Sequence, residues 1–162
     1  MDPGGGNELF DDAFDGLFHT AYRAAYRVLG SREDAEDVAM EALARASSRW
    51  ASLRHQPAGW VTTVSVNLAL DRWRRRRRAP LPEPARPGDP VDGRRIDLVR
   101  ALARLPRRQR ETIVMRYFAD LTEVETAAAM GVSVGTVKQH AARGMAALRL
   151  DLDGPVDTEA VG

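Results

Sequence analysis

Residues 79–93 read APLPEPARPGDPVDG, placing five prolines and two glycines in fifteen positions. Proline locks φ and has no N–H to donate, so neither a helix nor a ladder runs through such a stretch. It predicts a semi-extended linker that separates two small folded units of the 162-residue chain, about residues 10–78 and 94–150. Element by element, the expected organisation is a disordered N-terminus at 1–9, a first unit at 10–78, the linker at 79–95 and a second unit at 96–150. Residues 151–162, DLDGPVDTEAVG, are expected to form a disordered acidic tail. No internal repeat relates the halves.

Composition narrows the function classes. There is no cysteine, which excludes disulfide frameworks, zinc fingers and thiol catalysis. No apolar run approaches the roughly 20 residues of a membrane span, and Met1–Glu8 has neither the basic residues nor the apolar stretch of a signal. A cytoplasmic protein with no membrane partner is expected. The net charge of +1 hides a strong separation. Residues 1–18 hold five acids and no base, 49–78 hold eight bases against one acid, 96–122 hold six against three, and 151–162 hold four acids and no base. A basic middle between acidic ends points to a polyanionic partner at the centre.

The first unit reads as helices. Leu17, Ala21, Ala24, Ala25 and Val28 recur at helix spacing up to Gly30, a natural stop. Ser31 then opens Ser-x-x-Asp34, a start resembling a capping box, and Ala35, Val38, Ala39, Ala42, Leu43 and Ala46 mark one face of a helix to about Ser48. A loop is expected from Arg49 to Gln56. Pro57 suits a first helical position, and Trp60, Val61, Val64 and Leu68 form a stripe on a long helix that ends in the arginines. Val64, Val66, Leu68 and Leu70 also alternate as a strand would in a segment rich in β-branched residues, so the local pattern leaves both readings open with helix ahead.

In the second unit a helix over Ile96–Arg104 is interrupted by Leu105-Pro106, and another follows from about Arg107 to Phe118, with Ile113, Val114 and Tyr117 expected inside. Thr122 and Glu125 make a capping box for a short helix ending at Met130-Gly131. Ser133 caps a last helix whose buried stripe is Val134, Val137, Ala141, Met145 and Leu148. A short helix, a Gly-Val-Ser turn and a longer helix have the geometry of a helix-turn-helix, with Ala127 small enough for a close crossing. Opposite the stripe lie Gly135, Thr136, Lys138, Gln139, His140 and Arg143, donors suited to base edges and phosphate in a major groove. A solvated polar face is the ordinary explanation for such residues. The coincidence of turn, caps and donors favours DNA reading.

The run from Arg72 to Arg78 holds six arginines and Trp73. Their mutual repulsion is relieved by a polyanion, although a basic linker or a compositional bias would also account for them, since arginine outnumbers lysine 23 to 1. Trp50, Trp60 and Trp73 all fall in or beside this segment, and aromatics among arginines suit single-stranded nucleic acid. Trp60 itself lies on the apolar stripe and reads as core.

Four motifs, in order around the linker, resemble the extracytoplasmic-function sigma factors of the bacterial sigma-70 family. They are Asp34-Ala-Glu-Asp-Val-Ala-Met-Glu41, Trp60 followed by Asn67, Asp71 and arginines, Leu105-Pro-Arg-Arg-Gln-Arg-Glu111, and Val134-Gly-Thr-Val-Lys138. The resemblance covers about residues 10–150. It implies an all-α fold of two small domains, sigma region 2 and sigma region 4, and so decides for helix over 61–70. It also implies that Asp34, Glu36, Asp37, Met40 and Glu41 dock on the β′ clamp helices of core RNA polymerase, with Met40 standing where the family usually has glutamine. Arg49, Arg54, Asn67, Asp71, Arg74 and Arg75 would bind the −10 element and hold a flipped base of the opened strand. Ser133, Thr136, Lys138, Gln139, His140 and Arg143 would bind the −35 element, with region 4 also touching the β-flap and the linker threading the polymerase. Thr126 replaces the family's Ile or Val, so a less tightly packed helix-turn-helix is expected. The implied partners are core polymerase, promoter DNA and an anti-sigma factor carried on another chain.

Two other classes fit the residues less well. Catalysis finds little support: His19, His55 and His140 are scattered, no glycine-rich phosphate loop follows a strand, and the Glu-x-x-His of di-metal bundles is absent. Neither a cofactor nor a small-molecule substrate is expected. A stand-alone helix-turn-helix regulator would need a dimerisation helix and would leave residues 10–78 without a role.

Overall fold

Gly30 ends the first helix as the sequence suggests, with φ at +66° and its N–H donating to the Tyr26 carbonyl at 2.8 Å. The computed structural model describes residues 5–53, 56–78 and 93–154, with side chains from residue 9 onward. The helices are α1 (Gly5–Leu29), α2 (Arg32–Ser48), α3 (Trp50–Leu53), α4 (Pro57–Arg78), α5 (Gly93–Arg104), α6 (Arg107–Ile113), α7 (Glu123–Met130) and α8 (Val134–Leu152), with a π-helical turn at Val114–Phe118 after α6. Among the described residues there is no strand.

In the first unit α1 lies along both α2 and α4, and α2 also meets α4. The seams are lined by alanines at 0% exposure, among them Ala21, Ala25, Ala39, Ala42 and Ala69, which let the helices approach closely, while Leu43, Val61, Val66 and Leu70 fill the space between. The segment that also alternates like a strand is helical. Its period is blurred because α4 is enclosed on several sides: Thr62, Thr63 and Ser65 are buried together with Val61, Val66 and Leu70. The Thr62 and Thr63 hydroxyls are satisfied within the helix, donating to the carbonyls of Ala58 at 2.7 Å and Gly59 at 3.0 Å.

Several boundaries differ from expectation. The helix α1 starts at Gly5, inside the stretch read as disordered, because Phe10 is buried edge-on against Trp50 at 5.2 Å and anchors the first turns. Trp50 and Leu53 pack on the same core cluster, so the expected loop at 49–56 holds the short helix α3. At the other end of the chain, α8 runs on to Leu152, past the expected boundary at 150. The linker segment 79–92 and the tail from 155 lie outside the described residues.

The second unit is punctuated as its caps predict. Ser133 Oγ accepts from the Thr136 N–H at 3.1 Å, and Thr122 and Glu125 form a full capping box, with the Thr122 N–H donating to Glu125 Oε2 at 2.7 Å. At the turn Gly131 has φ +66°, its N–H donating to the Ala128 carbonyl and that of Val132 to Ala127, the paired bonds of a Schellman motif. Beyond Ile113 the hydrogen bonds widen, with the Ala119 N–H donating to Val114 at 3.0 Å. This wider turn keeps Ile113 and Val114 inside but swings Tyr117 out to 52% exposure, against the expectation that it is buried. On α8, Val137 and Leu148 are buried, and Val134, Ala141 and Met145 are half-buried. Gly144 is the residue the stripe overlooked: a Cβ there would lie 2.9 Å from Ile113 Cγ1, so the α6–α8 crossing is as close as glycine allows.

Candidate functional site

The arginine run continues α4, so successive guanidiniums leave the helix in different directions and meet different partners. Arg72 and Arg76 turn toward α2, where both pair with Asp34 and Arg72 also reaches Asp37 at 3.4 Å. Arg77 lies over the Trp73 ring, 4.9 Å from its centroid, and Trp73 in turn packs against the main core cluster. Arg74 holds Asp71 at 3.1 Å and donates to the Ala103 carbonyl of α5 at 2.8 Å. Arg75 and Arg78 are exposed and, among the described residues, have no hydrogen bond or ion pair. Their cost of mutual repulsion is therefore offset inside the protein only for part of the run. The remaining two cations present a free positive edge.

The tryptophans do not form a stacking platform. Trp50 and Trp60 pack on the cluster that contains Phe10 and Leu43, and Trp73 packs beside Leu70 and Val66. All three are half-buried, Trp60 on the apolar stripe as expected and Trp50 and Trp73 against a core cluster as well.

On α2 the five residues expected to dock on a protein split into two kinds. Asp34 is only 13% exposed at its side chain and is committed to Arg72 and Arg76. Glu36, Asp37, Met40 and Glu41 form the exposed face, with Met40 52% exposed. Glu41 pairs with Arg45 at 2.7 Å, a surface i,i+4 pair that a partner can displace at little cost. The face combines an apolar Met with carboxylates, the mixture of anchor and rim that suits a protein partner.

Of the residues expected at the −10 element, Arg49 is exposed at the end of α2 and Arg54 lies outside the described residues. Asn67 is half-buried, and its Oδ1 accepts from Arg110 Nε at 3.1 Å. Burial, and next the neighbouring Arg74 cation, hold the Arg110 guanidinium below its ordinary pKa. Sequence reasoning had no role for Arg110. The position of its partner is decided by the packing of the two units.

Along α8, Gln139 and Arg143 are exposed, Lys138 is exposed and loosely paired with Glu123 at 3.7 Å, and Ser133 and Thr136 are joined through their hydroxyls at 2.9 Å. His140 is half-buried with Nδ1 enclosed and unpartnered, which removes that nitrogen from any groove contact. The side chains of Lys138, Gln139 and Arg143 make the open donor face. On α7, Thr126 is fully buried and its hydroxyl finds no partner, a polar atom where an apolar branch would fit. In the Leu105–Glu111 motif, Leu105 and Glu111 are both buried, and the Glu111 carboxylate takes Arg107 at 2.8 Å and Arg108 at 3.3 Å. That pairing, hydrogen bond first and charge second, raises the Arg107 pKa. The motif is therefore a structural tie at the start of α6. No group of three His, Cys, Asp or Glu side chains is placed to hold a metal among the described residues, and no described helix is long and apolar enough to cross a membrane.

Comparison with known proteins finds two family matches along the chain. Residues 17–79 match the family described as Sigma-70 region 2, and residues 95–148 match Sigma-70, region 4. RNA polymerase sigma-E factor of Streptomyces coelicolor is 33% identical over 138 residues, covering 80% of this chain and 78% of the relative. ECF RNA polymerase sigma factor SigM of Mycobacterium tuberculosis is 36% identical over 148 residues, covering 84% and 75%. Among solved structures, the sigma factor RpoE of Bartonella quintana, crystallised with the anti-sigma factor NepR, has a TM-score of 0.56 at 21% identity and covers 91% of this chain and 98% of that one, a likeness of fold. The chain belongs to the extracytoplasmic-function group of the sigma-70 family and is an RNA polymerase sigma factor.

Proposed function

We propose that the chain docks on core RNA polymerase through the exposed face of α2, meets the −10 element with α4 and the loop before it, and reads the −35 element with α8. Glu36, Asp37, Met40 and Glu41 make the docking contact, and Asp34 acts from inside by tying α2 to α4. Arg49, Asn67, Asp71, Arg74 and Arg75 serve the −10 element, with Arg54 completing the set. Ser133 and Thr136 hold phosphate, while Lys138, Gln139 and Arg143 face bases and His140 contributes an edge. Promoter opening then draws on binding energy alone: the chain catalyses no reaction, uses no cofactor and works in the cytoplasm. An anti-sigma factor such as the one crystallised with the Bartonella protein is a fitting regulator.

The observation that carries this reading is the pairing, in one chain, of an open donor face on α8 with a second basic edge at Arg75 and Arg78 beside an exposed acidic face on α2. A stand-alone duplex reader needs only the first. The test is gel filtration with core polymerase, followed by transcript start mapping after overexpression. Co-elution and a shared upstream motif are expected. Replacing Asp37→Lys and Glu41→Lys together should abolish co-elution with the helical circular dichroism unchanged. Unaltered co-elution would refute the α2 face, and tight duplex binding without core binding would favour the regulator reading.

A further inference from the structure

Two of the six arginines at the end of α4 meet a single carboxylate. Arg72 and Arg76 are one helical turn apart and so share a face. Arg72 Nη1 lies 3.4 Å from Asp34 Oδ1 and Arg76 Nη2 lies 2.5 Å from Asp34 Oδ2, so each oxygen has its own guanidinium. Arg72 also donates to the Asp34 backbone carbonyl at 3.4 Å. The carboxylate is held in place by its own helix. Asp34 stands in the first turn of α2, its N–H donating to the Ser31 cap at 3.4 Å, where the helix dipole favours a negative charge. Ala35 and Val38 of the same helix share a buried cluster with Val66, Ala69 and Leu70, so an apolar seam joins α2 to α4 independently of the ion pairs. Asp34 is only 13% exposed at its side chain, whereas Arg76 is 56% exposed. A nearly enclosed acid therefore holds two cations that reach the surface, offering them the pairing that a DNA phosphate would otherwise supply.

We infer that Asp34 is an internal stand-in for phosphate: it withholds Arg72 and Arg76 from DNA and thereby determines specificity, lowering attraction to every sequence without touching the side chains that read one. This rests on the reading of α4 as the −10 helix. Non-specific affinity grows with the number of phosphates neutralised, and each contact withheld makes the dependence of log affinity on log salt shallower by about 0.7 on a single strand and about 0.9 on a duplex. A protein that binds all DNA tightly is spread over competing sites, so discrimination improves when cations that read no base are neutralised within the chain. Asp37 is 63% exposed at its side chain and holds Arg72 at 3.4 Å as a surface pair, which phosphate displaces at little cost. The block therefore resides in Asp34. Arg75 and Arg78 stay exposed for DNA.

Asp34→Asn removes the charge while keeping the side-chain shape and the Ser31 cap. The probe is a labelled single-stranded DNA of about 20 nucleotides and mixed sequence, titrated with the full chain at a series of sodium chloride concentrations and followed by fluorescence anisotropy. With two phosphate contacts released, Asp34→Asn should bind about tenfold more tightly at low salt, and its salt slope should steepen by about 1.4. Arg72→Gln with Arg76→Gln should leave the natural slope unchanged even though it removes two positive charges. Adding both to Asp34→Asn should return the slope to the natural value, although that chain is less positive than the natural one. Together these results separate withheld contacts from net charge. An Asp34→Asn slope equal to the natural one would overturn the inference. So would a shallower slope in the chain with Arg72→Gln and Arg76→Gln alone, because those arginines would then already meet phosphate. If Asp34→Asn loses native circular dichroism, the paired arginine substitutions decide the matter by themselves. A natural slope in a chain with Arg75→Gln and Arg78→Gln would break the reading of α4, and the inference with it. A shallower slope there, beside no change in Asp34→Asn, removes only the role of Asp34.

Discussion

The two units reach a helical fold by different means. In the first, helices of 25, 17 and 22 residues pack along their length through fully buried alanines and branched aliphatics. Stability there comes from long seams, because each turn of helix adds apolar area. In the second, α6 and α7 have 7 and 8 residues, lengths at which a helix alone is marginal in water. Local devices hold it instead: the Thr122 capping box, the Gly131 turn, the Ser133 cap and the Arg107–Glu111 tie. The contrast teaches where each unit tolerates change. The first can lose a cap but not a core side chain, and the second depends on both.

The sharpest break of this contrast is Leu43→Ala. Leu43 is 1% exposed between α2 and its neighbours, and truncation should destabilise the protein by about 2–5 kcal/mol in denaturant titration. On the other side, Thr126→Val replaces a fully buried, unpartnered hydroxyl with a methyl group. It should stabilise the second unit by about 1 kcal/mol, read as a higher denaturation midpoint with an unchanged slope. A rise would show that the second unit's core is limited by that one polar atom. Thr122→Ala removes the cap of α7 and should cost about 1 kcal/mol by the same measurement.

The smallest effect is on pH dependence. The Glu125 carboxyl is held below its ordinary range by the Thr122 backbone N–H first and the Thr122 side chain second. A depressed folded-state pKa means that the contribution is present above the unfolded carboxylate range and fades as pH falls through the folded value. Glu125→Gln, which removes the titrating carboxyl, should therefore flatten the acid limb of the stability profile; an identical limb would show that the box adds nothing beyond geometry.

Much of this was legible because it is local. Capping residues act within three positions of themselves, so Thr122, Ser133 and Gly131 could be placed from the sequence, as could the stripe of α2. The misses are all non-local. Tyr117 reads as buried on an α-helical period, but the π turn adds a residue and rotates it outward. Trp50 and Trp73 read as suited to nucleic acid because they neighbour arginines in the chain, whereas both are half-buried against a core cluster, Trp50 edge-on to Phe10 from the far end of the first unit. Gly144 carries no motif at all, and only the approach of Ile113 reveals why no larger residue fits.

By itself, the sequence determined the helical class, the caps of α7 and α8 and the buried stripe of α2, since capping and side-chain period depend on neighbours in the chain. Only the tertiary structure decided which charges remain available. Six arginines at 72–78 are equivalent as letters, yet Arg72 and Arg76 go to Asp34, Arg74 reaches the second unit, and Arg75 and Arg78 stay open. The physical reason is that a helix points successive side chains about 100° apart, so what each one meets depends on which surfaces are packed around the axis.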